Sequence, residues 1–328
     1  MASRPIVQQP ARGEAVVGVN MHQKKNAAGA DGRNRRALGD IGNLVTIQGI
    51  DAVKPQAQIS RPMTRKFCAQ LLANAQAAAA AENNKSRPHN YMVSQPEVNE
   101  KMRAILIDWL IDVHQKFELS PETLYLTINI IDRFLSVKAV PRRELQLVGI
   151  SATLMASKYE EIWPPEVNDL VMISDRAYTH EQVLVMEKTI LAKLEWTLTV
   201  PTHYVFLARF IKASIPDKEM ENMVYFLAEL GIMHYDTIMF CPSMVAASAV
   251  YAARCTLNKS PVWTETLKLH TGFSESQLKD CAGLLVYLHS TAAENKLKTV
   301  HRKYSNPQRG AVAMLPPAKS LLPASLCR

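Results

Sequence analysis

Met102-Arg103-Ala104-Ile105-Leu106-Ile107-Asp108-Trp109-Leu110-Ile111-Asp112-Val113-His114-Gln115-Lys116-Phe117 is the stretch on which the reading of this 328-residue chain turns. Set at about 100° per residue, Leu110, Ile107, Ile111, Ala104 and Phe117 form one apolar sector. Ile105, Trp109, Met102, Val113 and Leu106 form a second, contiguous with it, and Asp108, Asp112 and Gln115 keep only a narrow polar face. A helix apolar nearly all round either lies at the centre of a bundle or leaves part of its stripe exposed to hold a peptide. The residues themselves leave both readings open. Arg103 sits inside this apolar surface and needs a partner, because an unpaired buried charge is strongly destabilising.

Working outward, dense helical periodicity runs from Gln95 to the end of the apolar pattern, with no sustained alternation of the kind a strand requires. Start signals recur. Ser120-Pro121-Glu122 sets a capping hydroxyl before a helix-ready proline, and Thr179–Gln182 and Ser274–Gln277 read as capping boxes. Pro164-Pro165, Pro201 and Pro242 punctuate the helices. Ser151-Ala152-x-x-x-Ala156 is echoed by Ser248-Ala249-x-x-x-Ala253, 97 residues on, and the two capping boxes are 95 apart. The fold class is therefore all-α, and two units of similar plan joined near Pro201 would explain both echoes, although small-residue helices and capping boxes are common on their own. Further ionisable residues fall in apolar runs: Asp132 in Ile130–Phe134, Lys158 after the small-residue helix, and Glu187 after Val185-Met186. Each requires a partner within the fold or outside it.

Composition narrows the function classes. The net charge is +8, but the first 66 residues carry eleven Lys/Arg against four Asp/Glu, so seven of those eight charges belong to a tail. A nearly neutral body lacks the basic footprint of a nucleic-acid binder. Residues 1–62, rich in Gly, Ala, Asn and Gln, cannot bury enough surface to order and are read as a disordered basic tail. Residues 63–94 are a linker with a possible short helix over 65–81, 95–200 and 201–322 are the two helical units, and 323–328 is a short tail. Five scattered cysteines suggest neither disulfides nor zinc. With no signal-like or membrane-spanning run, the chain is expected inside the cell, away from membranes. No phosphate-binding glycine loop, His-Glu-x-x-His or Gly-x-Ser-x-Gly is present, and the nine histidines have no ligand spacing, so neither catalysis, metal nor cofactor is expected.

Several ordered motifs then carry a resemblance. Met102–Leu106 followed by Asp108–Leu110, Glu122–Leu126, Asn129–Leu135, Leu145–Gly149 and Ala156–Ile162 running into Pro164-Pro165-Glu166 resemble the cyclin box. Lys303-Tyr304-Ser305 and Pro316–Lys319 extend the likeness to about Leu322. The wording is similar to that of plant mitotic B-type cyclins, whose fold is a tandem pair of five-helix bundles.

This resemblance implies a regulatory subunit of a cyclin-dependent serine/threonine kinase, not an enzyme. It implies that Arg103 and Asp132 form an internal ion pair. Lys158 and Glu187, with Leu147 packing nearby, would bind the kinase. Met102, Ile105, Leu106, Trp109, Leu145 and Gln146 would form a patch for Arg-x-Leu substrates and inhibitors, with Asp112, a departure from the Glu of many relatives, expected to weaken capture of the motif's arginine. Arg35, Leu38, Ile41 and Asn43 resemble a destruction box read by the ubiquitin ligase of mitotic exit. Nucleus and cytoplasm are the expected compartments. A transcription-factor-like doubled cyclin fold and a plain helical scaffold are the competing readings. The first needs a basic body, and the second needs neither the tail motif nor Lys158 and Glu187.

Overall fold

The computed structural model describes residues 87–322, which form α-helices and short 3-10 turns, with no strand among them. The expectations for residues 1–62 (Arg35, Leu38, Ile41 and Asn43 included), for 63–86 and for 323–328 lie outside the described residues.

Two five-helix bundles follow one another. The first comprises α1 (Glu100–Lys116), α2 (Pro121–Val137), α3 (Leu145–Glu160), α4 (Val167–Ile173) and α5 (His180–Lys193). The second comprises α6 (His203–Ala213), α7 (Lys218–Met233), α8 (Pro242–Thr256), α9 (Glu265–Thr271) and α10 (Glu275–Ala292). A short α11 (Thr299–Tyr304) follows.

The repeat noted in the sequence marks the two central helices. Ser151, Ala152 and Ala156 of α3 and Ser248, Ala249 and Ala253 of α8 are all fully buried. Their small side chains let α2 and α5 close on α3, and α6, α7 and α10 close on α8. Both capping boxes form, on α5 from Thr179 and Gln182 and on α10 from Ser274 and Gln277. At the start of α2 the reading needs correction. The Ser120 hydroxyl makes no cap; the Glu161 carboxylate, at the end of α3, instead accepts from Ser120 N at 2.7 Å and from the Thr123 hydroxyl. The Ser120 hydroxyl lies 3.1 Å from the Thr123 hydroxyl instead of capping a backbone N–H.

α1 begins at Glu100, two residues before the stretch that opened the sequence reading, because the Asn99 side chain accepts from Met102 N at 3.0 Å. Its all-round apolar character has a simple cause. Leu106 and Leu110 belong to the core of the first bundle, whereas Ile107 and Ile111 pack with the second. The helix therefore faces two cores, and only the remainder of its stripe is left for solvent. Within the stretch read as linker, Tyr91 is 2 % exposed, its hydroxyl donates to Asp132 Oδ1 at 2.7 Å, and Tyr235 Oη accepts from its backbone N at 2.8 Å. A buried aromatic hydroxyl demands such a partner.

Candidate functional site

Three arrangements gather most of the residues singled out from the sequence. The innermost is a polar knot. Arg103 donates to both oxygens of Asp132 at 2.6 and 2.7 Å, and its third nitrogen reaches the Met233 carbonyl of the second bundle at 3.2 Å. Their side chains are 2 % and 6 % exposed. Burial works against the Arg103 charge, but Asp132 outweighs it and holds the guanidinium pKa above its ordinary value. Tyr91, missed by the sequence reading, completes the knot, and burial together with Asp132 pushes its hydroxyl pKa up.

A second knot was also missed. Lys303 donates to both oxygens of Glu229 at 2.7 and 2.8 Å, and Tyr304 donates to the same carboxylate at 2.6 Å. The signal was available: Glu229 sits in the apolar run Phe226–Ile232, just as Asp132 and Glu187 sit in theirs.

The next arrangement lies at the surface. Lys158, near the end of α3, donates to both oxygens of Glu187 on α5 at 2.7 and 3.0 Å. Lys158 is 41 % exposed and Glu187 12 %, so the pair is anchored from below and open above. Large apolar side chains stand in water on the neighbouring segments: Tyr159 beside Lys158, Ile162 and Trp163 after α3, and Val185 just before Glu187. Exposed apolar groups on the segments that carry a half-buried charge pair are the makings of a protein contact. Leu147 is not beside the pair. It is buried, and it lies eleven residues earlier on α3, about 16 Å along the axis.

The third is a shallow groove lined by Met102, Ile105, Leu106 and Trp109 of α1, by Arg142 in the 3-10 turn before α3, and by Leu145 and Gln146 at the start of α3. Leu106 and Leu145 are its buried floor, and Ile105 is half exposed. Gly149 brings the helices this close, since a Cβ there would meet Leu106 Cδ1 at 2.8 Å. Asp112 does not line the groove. Arg302 donates to it at 2.6 Å and the Thr299 hydroxyl lies 3.1 Å away, so α11 engages the carboxylate that was assigned to a peptide's arginine. Among the described residues, no cluster of His, Cys, Asp and Glu could hold a metal ion, and no helix is long and apolar enough to cross a membrane.

Comparison with known proteins agrees with this architecture. Residues 74–199 match the family model for the cyclin N-terminal domain, and residues 201–318 match that for the cyclin C-terminal domain. The G2/mitotic-specific cyclin S13-6 of Glycine max is 52 % identical with 98 % of each chain covered. Cyclin-B1-3 of Arabidopsis thaliana is 49 % identical, covering 98 % of this chain and 99 % of its own. Among solved structures, a viral cyclin from herpesvirus saimiri superposes with a TM-score of 0.57 at 22 % identity, over 66 % of this chain and 97 % of its own, which speaks to the fold. From two matching domains and full-length likeness together, the chain belongs to the cyclin family and is similar throughout to its mitotic B-type members.

Proposed function

We propose that this chain binds and activates a cyclin-dependent serine/threonine kinase through the Lys158–Glu187 face, and that it acts at the entry to mitosis. The observation that carries this reading is the pair itself: a charge pair anchored in the bundle and open to solvent, with Tyr159, Ile162 and Trp163 exposed in the stretch of chain that follows Lys158. An active kinase needs a glutamate of its regulatory helix paired with its ATP-binding lysine. A rigid bundle that binds only the inward position of that helix shifts the population toward it. The chain supplies no catalytic group to this mechanism; its rigidity and its face are the contribution.

Two further roles complete the proposal. The groove of Met102, Ile105, Leu106, Trp109, Leu145 and Gln146 would dock Arg-x-Leu peptides of substrates and inhibitors. The tail residues Arg35, Leu38, Ile41 and Asn43 would direct ubiquitin-dependent removal at mitotic exit, with the protein working in nucleus and cytoplasm.

The kinase reading is tested by mixing Lys158→Ala/Glu187→Ala protein with a cyclin-dependent kinase and measuring phosphorylation. Activation is expected to be lost while helicity and melting are kept; full activation by the double variant refutes the reading. The tail reading is tested by pulse-chase in synchronised cells. Arg35→Ala with Leu38→Ala should lengthen the half-life through mitotic exit and leave activation in vitro unchanged, and an unaltered half-life discards it.

A further inference from the structure

Asp112 lies one turn beyond Trp109 on α1, where a carboxylate could receive the arginine of a docked peptide. It is already engaged. Arg302 Nη2 donates to Asp112 Oδ1 at 2.6 Å, and the arginine reaches it from α11, an element held on both sides. At one end of α11 the Thr299 backbone N donates to Asp108 at 3.0 Å; at the other, Lys303 is buried against Glu229. The backbone beneath Arg302 is therefore fixed, while its side chain is 69 % exposed and its partner 46 %. Beside the groove's Arg142, Glu97 accepts from the Arg142 backbone N at 3.2 Å.

From this geometry we infer that Arg302 sets the specificity of the groove. By occupying Asp112 it makes the groove select peptides by their apolar anchor and gain little from an arginine ahead of it. The inference rests on the docking reading above and adds a determinant to it. An arriving arginine must displace a guanidinium already held next to the carboxylate, so it exchanges one contact for another and gains only the difference. Removing Arg302 frees Asp112 to pair with the peptide instead.

The test uses the full chain and two fluorescent synthetic peptides, identical except that one carries Arg-x-Leu and the other Ala-x-Leu. Anisotropy titration should find wild-type affinities within about two-fold of each other. In Arg302→Gln the Arg-x-Leu peptide should gain, raising the preference about two- to five-fold, the range expected for an exposed ion pair. Asp112→Asn should return the ratio to unity in either background. A ratio unchanged by Arg302→Gln, with both peptides still bound, overturns the inference and spares the docking reading. No binding of either peptide to either protein overturns the docking reading and the inference with it. Binding that survives Trp109→Ala shows that the peptide sits elsewhere, with the same consequence.

Discussion

The two bundles share an interior and differ at the surface. Asp132 is the twelfth residue of α2 and Glu229 the twelfth of α7, and each buried carboxylate is held by one cation and one tyrosine. In the first bundle these are Arg103 and Tyr91, in the second Lys303 and Tyr304. The correspondence stops at the outer face. Lys158 is the fourteenth residue of α3 and Glu187 the eighth of α5, whereas the fourteenth of α8 is Cys255 and the eighth of α10 is Ala282. What is duplicated holds each bundle together. What is not duplicated is the feature proposed to act on a partner.

The largest effects should come from breaking the shared interior. Arg103→Ala leaves Asp132 buried and unpaired, Lys303→Ala does the same to Glu229, and each should cost about 3–5 kcal/mol of stability. Denaturant unfolding checks both. If the knots are equivalent the losses are alike, and a mild loss at one site alone would show that the second bundle holds its carboxylate differently. A sharper version replaces both charges at once. Lys303→Met with Glu229→Leu should be less destabilising than Lys303→Ala alone, because no charge is left stranded.

Smaller effects follow from the tyrosines. Tyr91→Phe and Tyr304→Phe each remove one hydrogen bond to a carboxylate, for an expected loss of about 1.5–3 kcal/mol apiece. Thermal melts of the two variants should fall by similar amounts; a silent Tyr91→Phe would mean that the segment before α1 does not help hold Asp132. Smallest are the caps. Thr179→Ala on α5 and Ser274→Ala on α10 each forfeit a capping hydroxyl, worth about 0.5–2 kcal/mol, and unequal losses would separate the two boxes.

The same contrast explains what could be read from the residues alone. Periodicity and the capping boxes are local, so the all-α class was legible in the residues, whereas the doubling was only suggested by the small-residue repeat and rested on the family resemblance. The start of α1 at Glu100 was missed because its cap, Asn99, lies just outside the apolar pattern. Ser120 was misread because its backbone is served by Glu161, 41 residues away. The need of Arg103, Asp132, Lys158 and Glu187 for partners followed from their apolar surroundings, but the Arg103–Asp132 pairing came from family resemblance and the bond between Lys158 and Glu187 was not foreseen, since nothing local selects a partner 29 residues distant. The engagement of Asp112 by Arg302, 190 residues later, had no signal at all in the neighbouring sequence. Leu147 was placed beside Lys158 by resemblance, and helix length alone separates them.

The central claim is that the unduplicated Lys158–Glu187 pair is what the kinase binds. Its most direct test is the dissociation constant of the full chain for a cyclin-dependent kinase, measured by calorimetry for wild type and for Lys158→Ala/Glu187→Ala, with melting recorded for both. Truncating charged anchors in a buried contact commonly costs about 2–5 kcal/mol, so the account predicts affinity at least about thirty-fold weaker at an unchanged melting temperature. Equal dissociation constants at equal melting temperature would contradict it.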